Sequence, residues 1–332
     1  MNNQHTRRAT LFGLGALAMW TVEPLLISSV NDLPIFELLT IIFFSSFAIT
    51  AVRITLNKRW HLVLKQSAYI WLAGFVGICL SDFAYVYGSQ YAPIAHVDLI
   101  DYIWPCMGIF FTSLLPKEKL KPQHLVGGLM GFAGIYFLIG PELHAQGISG
   151  DYMFGYILAI VGAIFWGGYT AFTRYHLALP TEMVGMYCGL GAVVCFILHL
   201  NTESFVMPTL EQGGLSVLTG ITGAGLAYQL WDYGVKHGEV YLLNLLTYVA
   251  RIFAMVLLVI MGKEPFSWGL VAACGLASLG VLVSTMDTKL FMAWLEKIYS
   301  TTPEYLPETT CFESENYEPE AKEAYSSSSH LA

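Results

Sequence analysis

Six ionisable side chains stand inside otherwise apolar runs of this chain: Glu23, Asp82, Asp98, Asp101, Asp232 and Arg251. A charge at the centre of a bilayer costs roughly 2.5–3.5 kcal/mol on insertion scales, so such residues mark a polar interior rather than a lipid-facing surface. Two of the acids lie in "HVDLIDYIWPC", residues 96–106, where Asp98, Asp101, Tyr102 and Pro105 are spaced i, i+3, i+4 and i+7, one face of a helix. Carboxylates grouped in this way can neutralise a cationic solute or carry a coupling proton. A guanidinium can hold a solute carboxylate in bidentate fashion. Trp20, Tyr85, Tyr102, Trp104, Trp231 and Tyr248 sit in the same segments as these charges, with Trp166 and Tyr169 in a further apolar run, and they supply rings on which an aromatic or heteroaromatic body could stack.

The elements that must position these residues follow from composition. Of 332 residues, 55% are hydrophobic and only 12% charged, against about 25% charged in a soluble domain. That is the composition of an all-α polytopic membrane protein. The net charge of −8 is local, because seven glutamates against one lysine from residue 301 onward supply six of the eight charges. With no basic stripe, no nucleic-acid partner is expected. The six cysteines show no metal-ligand spacing, so neither metal nor cofactor is expected.

Ten segments can be drawn at 9–30, 34–56, 68–90, 93–115, 122–141, 152–175, 181–200, 213–236, 239–261 and 265–286. Each is about 20 residues, enough to cross the hydrocarbon of a bilayer. "TRRATLFGLGALAMW" is read as the start of an uncleaved first span rather than an export signal, since the apolar run is long, carries Glu23-Pro24 and lacks a small-residue cleavage site. With the N-terminus cytoplasmic, thirteen Lys and Arg fall on inner loops and ends and only Lys263 on an outer loop. This segregation predicts ten spans with both termini inside.

Sliding the chain by 146 residues aligns Trp20 with Trp166, Gly88 with Gly234, Tyr102 with Tyr248, Gly134 with Gly280, and Lys117-Glu118 with Lys263-Glu264, without a gap. Five spans per half is an odd number, so the second half enters the membrane upside down. Inverted repeats place a solute site near the midplane between the halves. The expected organisation is a cytoplasmic N-terminus (1–8), a first repeat (9–141), an outer linker (142–151) and a second repeat (152–286). An amphipathic stretch (287–300) follows, suited to the membrane interface or else a continuation of the last helix, then an acidic tail (301–332) too polar to fold alone.

With "ALAMW" opening one half and "GAIFWGGYTAFTRY" the other, the chain resembles the EamA-type branch of the drug/metabolite transporter superfamily. "YIWP" and "AYQLWDYGVKHGEV" are similar to bacterial aromatic amino acid exporters of that branch. The resemblance covers residues 9–286 and implies a central cavity lined by aromatic residues of these helices.

The repeat maps Asp98, Asp101, Tyr102 and Pro105 onto Asn244, Thr247, Tyr248 and Arg251, which sets Arg251 opposite the two aspartates. It maps Asp82, Tyr85 and Ser89 onto Tyr228, Trp231 and Val235, and Trp20 and Glu23 onto Trp166 and Tyr169. The expected substrate-binding set is Asp82, Tyr85, Asp98, Asp101, Tyr102, Trp104, Trp166, Tyr169, Trp231, Tyr248 and Arg251. Trp20, Glu23, Asp232 and Asn244 form a second tier with a coupling role. Pro105 is read as a kink. Five acids against one base exceed what a neutral zwitterion needs. That surplus favours S-adenosylmethionine, in exchange for S-adenosylhomocysteine, for which transporters are known in the superfamily; the alternative is export of an aromatic amino acid. An intramembrane aspartyl protease would need a Tyr-Asp and a Gly-x-Gly-Asp. Tyr-Asp does not occur and the nearest approach to the second is "ISGD", so a secondary transporter in the cell inner membrane, not an enzyme, is expected. Its partners are a small solute, the lipid bilayer, and a proton or exchanged solute.

Overall fold

Apolar stretches of this length satisfy their backbone internally when they coil, and all the described secondary structure is helical. The computed structural model describes residues 3–115, 121–123, 125–130, 133–134, 137, 152–238, 240–263 and 265–301. The outer linker and the acidic tail beyond Thr301, together with nine of the twenty residues of the expected span 122–141, lie outside the described residues. The helices are α1 (Asn3–Val30), α2 (Ile35–Leu56), α3 (Trp60–Leu64), α4 (Ala68–Gly88), α5 (Ile94–Asp101), α6 (Trp104–Ser113), α7 (Met153–Tyr175) and α8 (Met183–Thr202). They continue as α9 (210–237), α10 (Val240–Ile260), α11 (Trp268–Thr285) and α12 (Thr288–Thr301). Residues through Phe291 form one unit. A second begins at Met292, and its described part is the remainder of α12.

Among the described residues five helices, α1, α2, α4, α7 and α8, are long and apolar enough to cross a membrane. Their outward faces carry large apolar side chains such as Phe44, Val52, Leu72, Ile157, Val193 and Phe196, while Asp98, Gln229, Asp232 and Thr247 are buried. Apolar outside and polar inside is the arrangement expected when the solvent is lipid, and the chain is a multi-pass membrane protein.

The expected span 93–115 is not one helix. It stops at Asp101, turns through Tyr102 and Ile103, and resumes at Trp104. Pro105 is the cause: it has no N–H to offer the Asp101 carbonyl one turn back, and its ring would clash there. The fold has a second kind of irregularity. α4 widens into a π-helical turn at Phe75–Leu80, and α9 does so at Gly220–Ala227. The 146-residue offset carries the first onto the second. Such turns insert an extra residue and re-aim the side chains that follow. Tyr228 follows the second turn directly and Asp82 follows the first after Ser81, and the two are equivalent under the offset.

Helix packing obeys the same repeat. α7 packs on α4 and α6, and its counterpart α1 packs on α9 and α10; α2 packs on its own counterpart, α8. Small residues permit the close approaches: a Cβ on Gly167 of α7 would lie 2.8 Å from the Gly108 backbone nitrogen of α6. The five described cysteines are buried and unpaired.

Candidate functional site

The break between α5 and α6 and the π turn of α4 present their polar residues to one space. A cavity of about 80 Å³ lies there, walled by α1, α4, α5, α6, α7, α9 and α10. Trp20 and Glu23 come from α1, Asp82 and Tyr85 from α4, and Asp98 and Asp101 from α5. Tyr102 and Trp104 border the break, and Trp166, Tyr228 and Arg251 complete the lining.

Arg251 forms an ion pair with Asp98, whose side chain is 3% exposed. Tyr85 Oη donates to Asp98 Oδ1 (3.2 Å). The Arg251 guanidinium stacks over the Tyr102 ring with its carbon 4.0 Å from the centroid, a favourable cation–π geometry. Tyr102 is itself held by donating to the Thr247 carbonyl (2.5 Å). Opposite, Tyr228 Oη donates to Asp82 Oδ1 (2.5 Å). Some polar atoms remain unmatched. Asp101 Oδ1, Trp20 Nε1 and Arg251 Nε are buried with no hydrogen-bond partner, and Glu23 makes no hydrogen bond or ion pair among the described residues. Buried polar groups are normally satisfied; a set of unmatched ones around a cavity marks where a solute's polar groups or water would complete them.

The rings form a connected layer. Trp20 contacts Trp166 (centroids 6.2 Å apart), Tyr228 (5.7 Å) and Trp231 (5.3 Å), Trp104 contacts Trp166 and Trp231, and Trp166 lies 4.6 Å from Tyr228. Trp20 and Trp166, like Asp82 and Tyr228, are equivalent under the 146-residue offset. Equivalent residues touch only where the operation relating two halves passes between them, as at an isologous contact. Both of these contacts between repeat-equivalent residues are made at this cavity.

Ten of the residues singled out in sequence line the cavity. Tyr169, Trp231 and Asp232, expected beside them, instead line a second, smaller pocket of about 30 Å³, with Trp166 and Tyr228 as the shared wall. Asp232 there accepts from Lys236 Nζ (2.8 Å) and from Thr181 Oγ1, while Lys236 Nζ also donates to the Leu179 carbonyl (3.0 Å). These bonds tie the α7–α8 connection to α9. One turn of helix separates Tyr228 from Asp232, enough to move the acid past the aromatic layer. The side chains of Asn244 and Tyr248 lie outside the described residues. The expected aromatic wall lacks Tyr228, although the sequence carries its signal: it is the repeat partner of Asp82.

A polytopic helical protein with a buried, charged and aromatic cavity between repeated halves is a membrane solute carrier in class. The family comparison narrows this: the chain matches the EamA-like transporter family twice, over residues 7–140 and 153–286, and it belongs to that family. The second match begins 146 residues after the first, the offset found within the sequence. An aromatic amino acid exporter, YddG, of Ancylobacter novellus is 34% identical over 84% of this chain and 97% of its own length. The exporter of the same name in Escherichia coli is 22% identical over 81% and 95%. A solved structure, described only as a crystal structure of a protein, superposes with a TM-score of 0.69 at 32% identity, over 84% of this chain and 98% of that one.

Proposed function

We propose that this protein exports amino acids with aromatic side chains across the cell inner membrane, by alternating access of the cavity between Asp98 and the tryptophan layer. The observation that carries the reading is the buried Asp98–Arg251 pair opening onto an aromatic-walled space. The unmatched Arg251 Nε and Trp20 Nε1 would donate to the solute carboxylate, Asp101 and Asp82 would receive its ammonium, and Trp20, Trp104 and Trp166 would clasp its ring. Tyr85 and Tyr102 orient Asp98 and Arg251. The names of the relatives support aromatic amino acids over S-adenosylmethionine, which the surplus of acids alone would favour. A space of about 80 Å³ holds a few waters but not an indole. The aromatic layer must therefore part to admit solute, as a two-state carrier requires.

The architecture that supports this is ten helices in two inverted five-helix halves, 9–141 and 152–286, joined by an outer linker at 142–151, with both termini cytoplasmic. Contact between repeat-equivalent residues at the cavity favours a two-fold relation of the halves, and the thirteen-to-one distribution of basic residues favours the orientation. In that orientation the pocket lined by Arg174, Asp232 and Lys236 faces the cytoplasm, and Tyr169 and Trp231 meet solute after Asp232 and Lys236 release the α7–α8 connection. α12 would lie on the cytoplasmic membrane surface, ahead of the 301–332 tail.

Counterflow in proteoliposomes tests the reading. Vesicles preloaded with tryptophan should accumulate labelled tryptophan, with inhibition by phenylalanine and tyrosine and none by S-adenosylmethionine. Accumulation of labelled S-adenosylmethionine in its place would overturn the proposed substrate.

A further inference from the structure

α2 and α8 are equivalent under the 146-residue offset and pack on each other, so the seam between them joins the two halves. Its two ends are held by different chemistry. At the end where α8 begins, the Arg59 guanidinium pairs with Glu182, the N-cap residue of α8, at 2.7 Å. Arg53 Nη1 donates there to Gln229 Oε1 (2.8 Å). Arginine keeps its charge at every physiological pH. At the end where α2 begins, the helix has no side-chain cap of its own. Glu203, just past α8, supplies one, its carboxylate accepting from the Phe36 and Glu37 amides at 3.1 and 3.3 Å. Glu37 returns the contact by accepting from the Val206 amide (3.1 Å). Between the two acids stands His199, the repeat equivalent of Arg53. Its Nδ1 lies 2.9 Å from Glu203 Oε2 and its Nε2 lies 3.9 Å from Glu37 Oε2, and none of the three side chains is more than 14% exposed.

An ionised carboxylate only accepts, so Nδ1 carries a hydrogen toward Glu203. In the neutral ring that leaves Nε2 as a bare lone pair facing an oxygen of Glu37. A second proton turns the same contact into a cation lodged between two anions. Histidine is the side chain that gains or loses this charge between about pH 5 and 8. We propose that His199 is a proton-operated latch at the outer end of the α2–α8 seam: the imidazolium clamps the two halves together there, and the neutral ring lets them part. The inference rests on the reading that the halves rock to alternate access, with this end outward in the proposed orientation. Acid outside then holds the outer end shut. Release of the proton to the outer solvent frees it, and the guanidinium at the cytoplasmic end offers no such switch. The titratable groups facing His199 are Glu37 of α2 and Glu203. Cys195, one turn earlier in α8, and Tyr87 of α4 lie within the field of Glu203.

Electron–electron double resonance on the full-length protein in lipid nanodiscs reads the latch directly. Spin labels are carried by Asp32→Cys, in the turn before α2, and Asn201→Cys, near the end of α8, both exposed positions. Cys311→Ser removes the cysteine of the tail, and the five described native cysteines are buried. Raising the pH from about 5 to 8 should shift the distance distribution from a short to a longer population. His199→Gln, which cannot be charged, should give the longer population at both pH values. Should that variant fail to fold, Glu203→Gln takes its place, because it removes the acceptor of Nδ1 and should likewise abolish the shift. A distance that stays constant across this range without the His199 change overturns the latch, and so does a shift that survives His199→Gln. The measurement uses no solute. Its failure therefore leaves the proposed substrate standing, and failure of tryptophan counterflow leaves the latch to be decided by the distances alone.

Discussion

Asp98 and Arg251 depend on each other more than on any other neighbour. Removing one member of a buried ion pair leaves the other uncompensated and costs roughly 3–5 kcal/mol, whereas removing both is far milder. Arg251→Gln and Asp98→Asn should each lower the thermal midpoint in detergent and abolish counterflow. The double variant should recover most of the stability and none of the transport. A double-mutant cycle of midpoints checks this, and additive losses would show that the ion pair is not what the two residues contribute. Sequence spacing had set Arg251 opposite both Asp98 and Asp101, and the structure resolves the choice. Arg251 takes Asp98, because Tyr85 and Tyr102 orient the two partners, and Asp101 is left facing the cavity.

At the level of the element, function sits where helices are irregular. Pro105 divides the expected span into α5 and α6, and π turns precede both Asp82 and Tyr228. A regular helix would rotate these side chains out of the cavity and close the backbone gap beside Asp101. Pro105→Ala restores an N–H that can bond the Asp101 carbonyl. It should leave the thermal midpoint unchanged or higher while lowering the tryptophan transport rate by about tenfold or more, the scale on which misplacement by an ångström acts in precise sites. Transport at the wild-type rate would show that the kink serves packing alone. The kink was legible in sequence, since proline carries its constraint wherever it sits. The π turns were not, because "FVGICL" and "GITGAGLA" read as ordinary apolar helix and the extra residue is fixed by what packs against them.

For the molecule as a whole, the repeat is the plan and, in the proposed function, also the mechanism. The same 146-residue offset relates helix pairs, π turns and residues that touch across the cavity. Two halves that pack in the same way can exchange roles, which is how rocking alternates access. The thirteen-to-one distribution of basic residues predicts both termini on the cytoplasmic side and the loop around Lys263 outside. Impermeant thiol labelling of a cysteine placed at Lys263 in intact cells should be efficient, and of one at Lys58 absent. Reversed labelling would invert the proposed orientation and the direction of transport with it.

The amino-acid sequence alone determined that this chain lives in lipid, that it is built twice over, and which charged and aromatic residues are too costly to face hydrocarbon. Those properties follow from composition, periodicity and a constant offset, all of which are local or one-dimensional. Only the tertiary structure decided which residues share a cavity. It drew Tyr228 into the wall and set Tyr169, Trp231 and Asp232 in the second pocket, across Trp166 and Tyr228. It also paired Arg251 with one aspartate rather than two. A helix face spans a third of a turn, so spacing fixes which side a residue is on. Depth and partner are set by π turns, a broken helix and close glycine contacts between segments far apart in the chain.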